Sequence, residues 1–181
     1  TAIAALKVAK EATNDNEEKA RYTFILGQLY ENLQYNDSAY ATFQEVIDMN
    51  RKSPRRYVVQ SHAKQALQFD YKKGDTLAFV EKFNKLLEDR ENRPYLDVLN
   101  HQMGIFYDKQ GLNQKAKLYY NKSIKSVSQD SYLVSSNYRN IGEIYFKEAQ
   151  YKTAGKYYDS TLLRLNDRTR EYRKIKKKRD N

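Results

Sequence analysis

The chain has few of the residues that cross-link a protein or interrupt its helices. Its 181 residues include no cysteine, no tryptophan, two prolines and six glycines. The lack of cysteine excludes disulfides and thiolate chemistry. No stretch approaches the roughly 18 consecutive apolar residues of a membrane span, and the first residues, TAIAALKVAKEA, lack a signal peptide's basic start and cleavage site. With no long alternating apolar pattern either, the sequence predicts an all-helical soluble domain or a piece of a larger protein.

Tyrosine and positive charge are what the sequence has in quantity. There are 17 tyrosines and 7 phenylalanines, while only 40% of the residues are hydrophobic. We therefore expect a core built largely from tyrosine rings, with their hydroxyls at its wet edge. The net charge is +10, and residues 168–181 contribute much of it, with eight Lys or Arg against two acidic residues.

Small and aromatic residues recur at fixed offsets along the chain. Each copy has a glycine, a tyrosine three residues later, an alanine at +12 and an aromatic residue at +16. The three clear copies are Gly27, Tyr30, Ala39 and Phe43; Gly104, Tyr107, Ala116 and Tyr120; and Gly142, Tyr145, Ala154 and Tyr158. A weaker copy holds Ala66, Phe69, Ala78 and, one place late, Phe83. The anchors are spaced 39, 38 and 38 residues apart, a period typical of stacked helical repeats.

Each repeat predicts a hairpin of two helices. The glycine and the alanine would lie where the helix axes approach most closely, with the aromatic rings filling the groove on either side. In the polar connections, Asp37, Asp75 and Asn113 are candidate N-caps of the second helices. Gly74 and Gly111 suit the left-handed residue that ends the first helix.

The repeat resembles the tetratricopeptide repeat (TPR) on "FILGQLYENLQYNDSAYATFQEVI" and "MGIFYDKQGLNQKAKLYYNKSI". The resemblance implies a TPR-like, right-handed α-solenoid of antiparallel helical hairpins, with units about one helical turn longer than usual. Residues 1–181 would form a single solenoid. Its segments are the second helix of a truncated upstream repeat at 1–15, repeats at 20–53, 54–92, 93–130 and 131–168, and the basic start of a further helix at 169–181.

No residue pattern indicates catalysis, a metal or a cofactor. His62 and His101 are the only histidines, and neither has a metal-ligand spacing. Carboxylates such as Glu88, Asp89 and Glu91 are plentiful, but nothing in the sequence places one of them in a buried pocket, so solvated charge is the favoured interpretation. We therefore expect a non-enzymatic protein with no small-molecule substrate.

The first helices of a TPR stack line a concave groove, and residues at −6, −3, +1 and +4 from each anchor point into it. This implies a protein-binding face made of Arg21, Phe24, Gln28, Glu31, Gln60, Tyr71, Val98, His101, Ile105, Asp108, Ser136, Arg139, Glu143 and Phe146. Phe24, Ile105 and Phe146 would be apolar anchors, and Arg139 would pair with a carboxylate. The alternative is a face that is merely solvated or covered by a neighbouring segment of the same chain. Phe24, Gln28, His101 and Ile105 stand where chaperone-tail clamps carry Lys and Asn, which argues against such a clamp.

The C-terminal segment TREYRKIKKKRDN is a basic patch. Its cations are Arg168, Arg170, Arg173, Lys174, Lys176, Lys177, Lys178 and Arg179. Basic runs attract nucleic acid, anionic lipid or acidic protein. The favoured interpretation is a solvated helix that Tyr172 and Ile175 pack onto the preceding hairpin, because stacking residues and recognition motifs for nucleic acid are absent.

A narrower resemblance covers most of the chain. The stretch from LLEDRENRPYLDVLNHQMG to KTAGKYYDSTL, together with RYTFILGQLYENLQYNDSAYATFQEVIDMN, is similar to the PorW/SprE family, outer-membrane lipoproteins of type IX secretion and gliding in Bacteroidetes. It implies a periplasm-facing scaffold at the outer membrane that binds secretion-machinery proteins and touches the membrane only through an anchor outside these residues. The alternatives are a generic TPR adaptor that binds a peptide in its groove, in a cytoplasmic setting, and a nucleic-acid or anionic-surface binder working through the basic patch.

Overall fold

The computed structural model describes residues 1–126 and 128–180. Within them the chain forms α-helices and two 3-10 helices but no β-strand, which confirms the all-α prediction. The α-helices are α1 (Ala2–Ala12), α2 (Asn16–Asn32), α3 (Asn36–Asp48), α4 (Arg55–Ala66), α5 (Thr76–Glu88), α6 (Leu96–Lys109), α7 (Asn113–Lys125), α8 (Ser131–Lys147), α9 (Tyr151–Leu162) and α10 (Arg170–Asp180). The 3-10 helices span Asn50–Lys52 and Arg90–Tyr95. Val127 and Asn181, from predicted segments 93–130 and 169–181, lie outside the described residues.

The chain divides into two compact units within the second predicted repeat. Unit 1 contains Thr1–Ala78 and Glu88–Tyr95, and unit 2 contains Phe79–Leu87 and the chain from Leu96 onward. Unit 1 therefore holds α1 to α4, and unit 2 holds most of α5 and all of α6 to α10. Within the units, α2 packs on α3, α6 on α7 and α8 on α9. The single continuous solenoid stays a prediction.

Each clear hairpin is closed by a ring lying on a glycine. A Cβ built on Gly104 would be 2.4 Å from the Tyr120 ring, and one on Gly142 would be 2.8 Å from the Tyr158 ring. The corresponding distance from Gly27 to the Phe43 ring is 2.7 Å. The +16 ring thus packs in the groove as expected, but it lies on the glycine itself rather than to one side of it.

The first helices of these hairpins end in the same hydrogen-bonded turn. The amide of Leu112 donates to the Tyr107 carbonyl at 2.9 Å, and the amide of Gly111 donates to the Asp108 carbonyl at 2.9 Å, which is a Schellman motif. Gly111 has the left-handed conformation, with φ of 72°. Gln34 and Ala149 hold the same place in the other two hairpins, with φ of 62° and 58°.

Some of the predicted turn chemistry was wrong. Gly74 has no positive φ; an added Cβ there would meet the Asp70 carbonyl oxygen at 2.5 Å, so space rather than handedness requires the glycine. The Asp75 cap is confirmed, because its carboxylate accepts from the Ala78 amide at 3.0 Å. Asp37 and Asn113 are not caps, since α3 and α7 begin early enough to take both residues into their first turns.

The segment around Arg90–Tyr95 is held to α4 by polar contacts. Arg55 Nε donates to Asn92 Oδ1 at 2.6 Å, and a second guanidinium nitrogen lies 2.6 Å from Asp89 Oδ2. Asn92 is fully buried. The LEDRENRP sequence therefore has a packing role in unit 1.

Candidate partner-binding surface

In unit 1, the predicted binding residues lie on or beside α2 and α4, but they do not form one exposed face. Phe24 is buried in the core, with its ring centroid 5.6 Å from that of Phe43 and 5.4 Å from that of Tyr57. It is therefore not an accessible anchor, because the hairpin's own ring already occupies the space beside it. Arg21 is exposed, and its guanidinium carbon lies 5.3 Å from the Tyr22 ring centroid.

Ion pairs connect the two first helices of unit 1. Lys64 of α4 lies 2.6 Å from the Glu31 carboxylate of α2, and Arg56 lies 3.0 Å from Glu17. Glu31 is thus engaged within the unit rather than free for a partner. The other predicted residues here are Gln28 and Gln60, both half-buried, and Tyr71, which lies after α4 and makes an edge-to-face contact with the Phe69 ring.

In unit 2, His101 belongs to a buried hydrogen-bond network instead of the surface. Its Nδ1 is 2.7 Å from Asn137 Oδ1. The Asn137 amide donates to Ser123 Oγ at 2.7 Å, and that hydroxyl donates to the Asp97 carbonyl at 2.7 Å. Since Asn137 offers an acceptor, His101 Nδ1 carries the proton. Burial lowers the pKa of His101 below its ordinary value, so the ring is neutral at pH 7.

Two predicted carboxylates are held by the rings that close the hairpins. The Tyr120 hydroxyl donates to Asp108 at 3.2 Å, and the Tyr158 hydroxyl donates to Glu143 at 3.1 Å. Burial raises the pKa of each tyrosine, so both hydroxyls keep their protons at neutral pH. The ring on the glycine therefore also fixes a charge on the first-helix surface.

The remaining predicted residues of unit 2 vary in accessibility. Ser136 is buried, while Val98, Ile105, Arg139 and Phe146 are half-buried. Three of the predicted residues, Arg139, Glu143 and Phe146, lie together on α8, and α10 packs beside them. The structure thus brings the predicted α8 residues together with the basic segment.

A groove of about 490 Å³ runs between α8 and α10. We call it the α8–α10 groove; it is lined by Arg139, Glu143, Arg170, Glu171, Lys174, Ile175 and Lys178. Arg139 pairs with Glu171, and Lys178 Nζ lies 2.5 Å from Glu143 Oε2. Ile175 is buried against Ala154 and Tyr158 and fixes α10 to the hairpin, as predicted.

A second depression of about 370 Å³ shares Lys178 with the groove. We call it the aromatic pocket; it is lined by Phe146, Tyr151, Gly155, Tyr158, Lys178 and Arg179. The Lys178 ammonium lies 4.5 Å from the Phe146 ring centroid, and the Phe146 and Tyr151 rings meet edge to face at 5.1 Å. An apolar side chain placed here would lie beside two cations.

The basic patch is partly neutralised within the protein. Arg179 lies 2.7 Å from the Asp159 carboxylate, and Lys178 is engaged as described. Its other members are exposed: Arg168, Arg170, Arg173, Lys174, Lys176 and Lys177. Among the described residues, none of these exposed side chains forms an ion pair.

Sequence reasoning missed residues that contact the predicted ones within each unit. In unit 1, Lys64 pairs with Glu31. In unit 2, Glu171 pairs with Arg139, and Tyr151 meets Phe146. None of the three falls at an offset used to choose candidates. The ion-paired residues of neighbouring first helices are 32 to 39 positions apart, near one repeat period. Opposite charges about one period apart therefore indicate such ion pairs in the sequence, but they do not determine which residue pairs with which.

Among the described residues, no group of three or more His, Cys, Asp or Glu side chains is arranged to hold a metal ion. None of the helices in that part of the chain combines the length and apolarity that crossing a bilayer requires. A family model for the tetratricopeptide repeat matches residues 20–53 and 99–126. The matched segments hold most of the α2–α3 and α6–α7 hairpins. No curated protein matches the chain.

Proposed function

We propose that this chain, which contains tetratricopeptide repeats, is a non-catalytic scaffold that binds other proteins on the surface of its first helices in unit 2. Such repeats generally mediate binding between proteins. The observation that carries the proposal is the α8–α10 groove. It is open, charged and continued by an aromatic pocket, and it contains predicted binding residues from α8.

We further propose that the partners are components of a cell-envelope secretion assembly, with the chain on the periplasmic side of the outer membrane. The support is the sequence likeness to the PorW/SprE scaffolds of type IX secretion and gliding. The LEDRENRP segment that contributed to this likeness packs on α4 through Arg55 and Asn92. The proposal therefore depends on the overall likeness and not on a functional motif.

The test is affinity capture from solubilised cell envelope of the source organism, read by mass spectrometry. Three baits are compared: the wild-type chain, Phe146→Ala in the aromatic pocket and Tyr40→Ala, an exposed ring on α3. We expect a set of proteins that wild type and Tyr40→Ala both retain and that Phe146→Ala loses.

The outcomes separate the two levels of the proposal. Secretion-machinery proteins in the Phe146-dependent set would support the assignment to a secretion assembly. Soluble regulators in that set would support a generic adaptor and refute the envelope assignment. Proteins captured equally by all three baits would refute the assignment of the contact to this surface.

A further inference from the structure

We infer that the α8–α10 groove selects an acidic segment of a partner protein, with carboxylates at Arg170 and Lys174 and an apolar side chain in the aromatic pocket. The inference rests on the proposed function, because it names the chemistry of the partner that this surface binds. It depends on three features of the groove: the spacing of its cations, the two cations that form no ion pair within the described residues, and the carboxylates already present beside them.

The cations of α10 form a row along one side of the groove. Arg170, Lys174 and Lys178 follow one another at intervals of four residues, so they share one face of the helix. Arg139 and Glu143 lie opposite them on α8. A segment lying in the groove would therefore meet a charged row on each side.

Two cations of this row are left without a carboxylate. Arg139 is paired with Glu171, and Lys178 with Glu143. Within the described residues, Arg170 and Lys174 form no ion pair, and both are exposed. They lie about one helical turn, or roughly 6 Å, apart along α10. The groove thus offers two adjacent positive charges to an incoming ligand.

The mixture of charges favours a protein over nucleic acid or a lipid surface. Glu143 and Glu171 stand among the cations, so a uniformly charged phosphate backbone would pass close to two carboxylates. A protein segment can place acidic residues opposite Arg170 and Lys174 and neutral ones elsewhere. The aromatic pocket, which shares Lys178, adds a place for an apolar side chain that phosphates do not supply.

The test measures binding of a fluorescein-labelled peptide made of three Glu-Glu-Phe units by fluorescence anisotropy. The variant Arg170→Glu/Lys174→Glu reverses both unpaired charges. The matched control is Lys152→Glu/Lys156→Glu, which makes the same charge change at the same spacing on exposed positions of α9. Arg170 is the first residue of α10, where a glutamate suits the helix dipole, so the groove variant should fold.

We expect the groove variant to bind the peptide at least about tenfold more weakly, and the control to change binding less than about threefold. Binding should also weaken as the salt concentration rises. Equal losses in both variants would overturn the inference, because they would reveal a response to net charge alone. Circular dichroism melts of all three proteins check that the folds are intact.

Two further probes decide between partner classes. Binding of a labelled oligothymidylate, and of vesicles containing phosphatidylserine, is measured for wild type and the same variants. Tighter binding of either probe than of the peptide, with the same dependence on Arg170 and Lys174, would overturn the inference in favour of that class. If wild type fails to bind the peptide while Phe146-dependent proteins are still captured from the envelope, the inference fails and the proposed function stands.

Discussion

Replacing Gly104 with alanine tests whether the ring on the glycine holds the hairpin together. The added methyl carbon would lie 2.4 and 2.5 Å from two carbons of the Tyr120 ring and 3.0 Å from a third. Ordinary contacts between such atoms are about 3.5–4.0 Å. The ring cannot simply turn away, because Tyr120 is fully buried and its hydroxyl donates to Asp108.

The expected loss of stability follows from two opposing effects. Inserting a methyl group into a packed core typically costs about 1–3 kcal/mol. Removing a glycine from a helix interior gains back about 1 kcal/mol. Because the contact at Gly104 is the shortest of the three, we expect a net loss of about 2 kcal/mol there. We expect smaller losses at Gly142 and Gly27, where the nearest ring atoms are 2.8 and 2.7 Å away.

The assay is urea unfolding of the whole chain followed by circular dichroism. With a slope of about 2 kcal/mol per molar urea, the midpoint for Gly104→Ala should fall by about 1 M. Gly155→Ala is the matched control, because Gly155 lies in α9 of the same unit and a Cβ there meets nothing within 4 Å. It should raise stability by up to about 1 kcal/mol.

Comparing Gly104→Ala with Gly155→Ala can refute the role of the Tyr120 ring in the hairpin. If Gly104→Ala is as stable as wild type, the ring can move aside and does not define the hairpin. If Gly155→Ala is destabilised as strongly as Gly104→Ala, the loss reflects some general intolerance of side chains at helical glycines. If Gly104→Ala costs less stability in a Tyr120→Leu variant than in wild type, the clash is with the ring.

Three further predictions concern a turn, a histidine and a buried amide. Ala149→Gly should raise the free energy of unfolding by about 1 kcal/mol, and Gly111→Ala should lower it by a similar amount, because both residues have the left-handed conformation. Urea midpoints equal to that of wild type would contradict this. NMR titration should show a His101 pKa below 6.5 because of burial. As the pH is lowered, the unfolded chain therefore binds a proton at His101 before the folded chain does. The stability present above pH 6.5 is lost as the pH falls through the folded-state pKa. A His101 pKa at or above its ordinary value would refute this. Asn92→Ala should cost about 1–3 kcal/mol, because it leaves the Arg55 Nε donor without its acceptor; a thermal melt unchanged from wild type would show that the contact is dispensable.

The sequence was sufficient to predict the hairpins because their contacts are local and repeat. Gly104 and Tyr120 are 16 residues apart, and the same pair recurs at Gly142 and Tyr158, so periodicity alone indicates that they meet. The packing of Ile175 was predictable for a similar reason, as an apolar residue within a charged helix must face its neighbour.

The candidate surface was less predictable, because accessibility depends on neighbours that a single offset does not describe. Phe24 and Phe146 hold similar places on first helices, at −3 and +4 from their anchors. Phe24 is nevertheless enclosed by Tyr57 of α4, whereas Phe146 lines an open pocket. His101 was likewise assigned to the surface, although its contact with Asn137 encloses it. Whether such a residue is covered depends on which side chain lies about one repeat away, as Tyr57 does for Phe24 and Asn137 for His101.

The position of the ring has a consequence for how such a chain can change length in evolution. The glycine, its ring and the left-handed turn residue all lie within one stretch of sequence, as Gly104, Gly111 and Tyr120 do. Duplicating or deleting one period of 38 residues would copy or remove all three together and leave every remaining hairpin complete. An insertion or deletion between a glycine and the ring 16 residues later would instead separate the two. Whole repeats are therefore the units in which a chain of this design can be gained or lost.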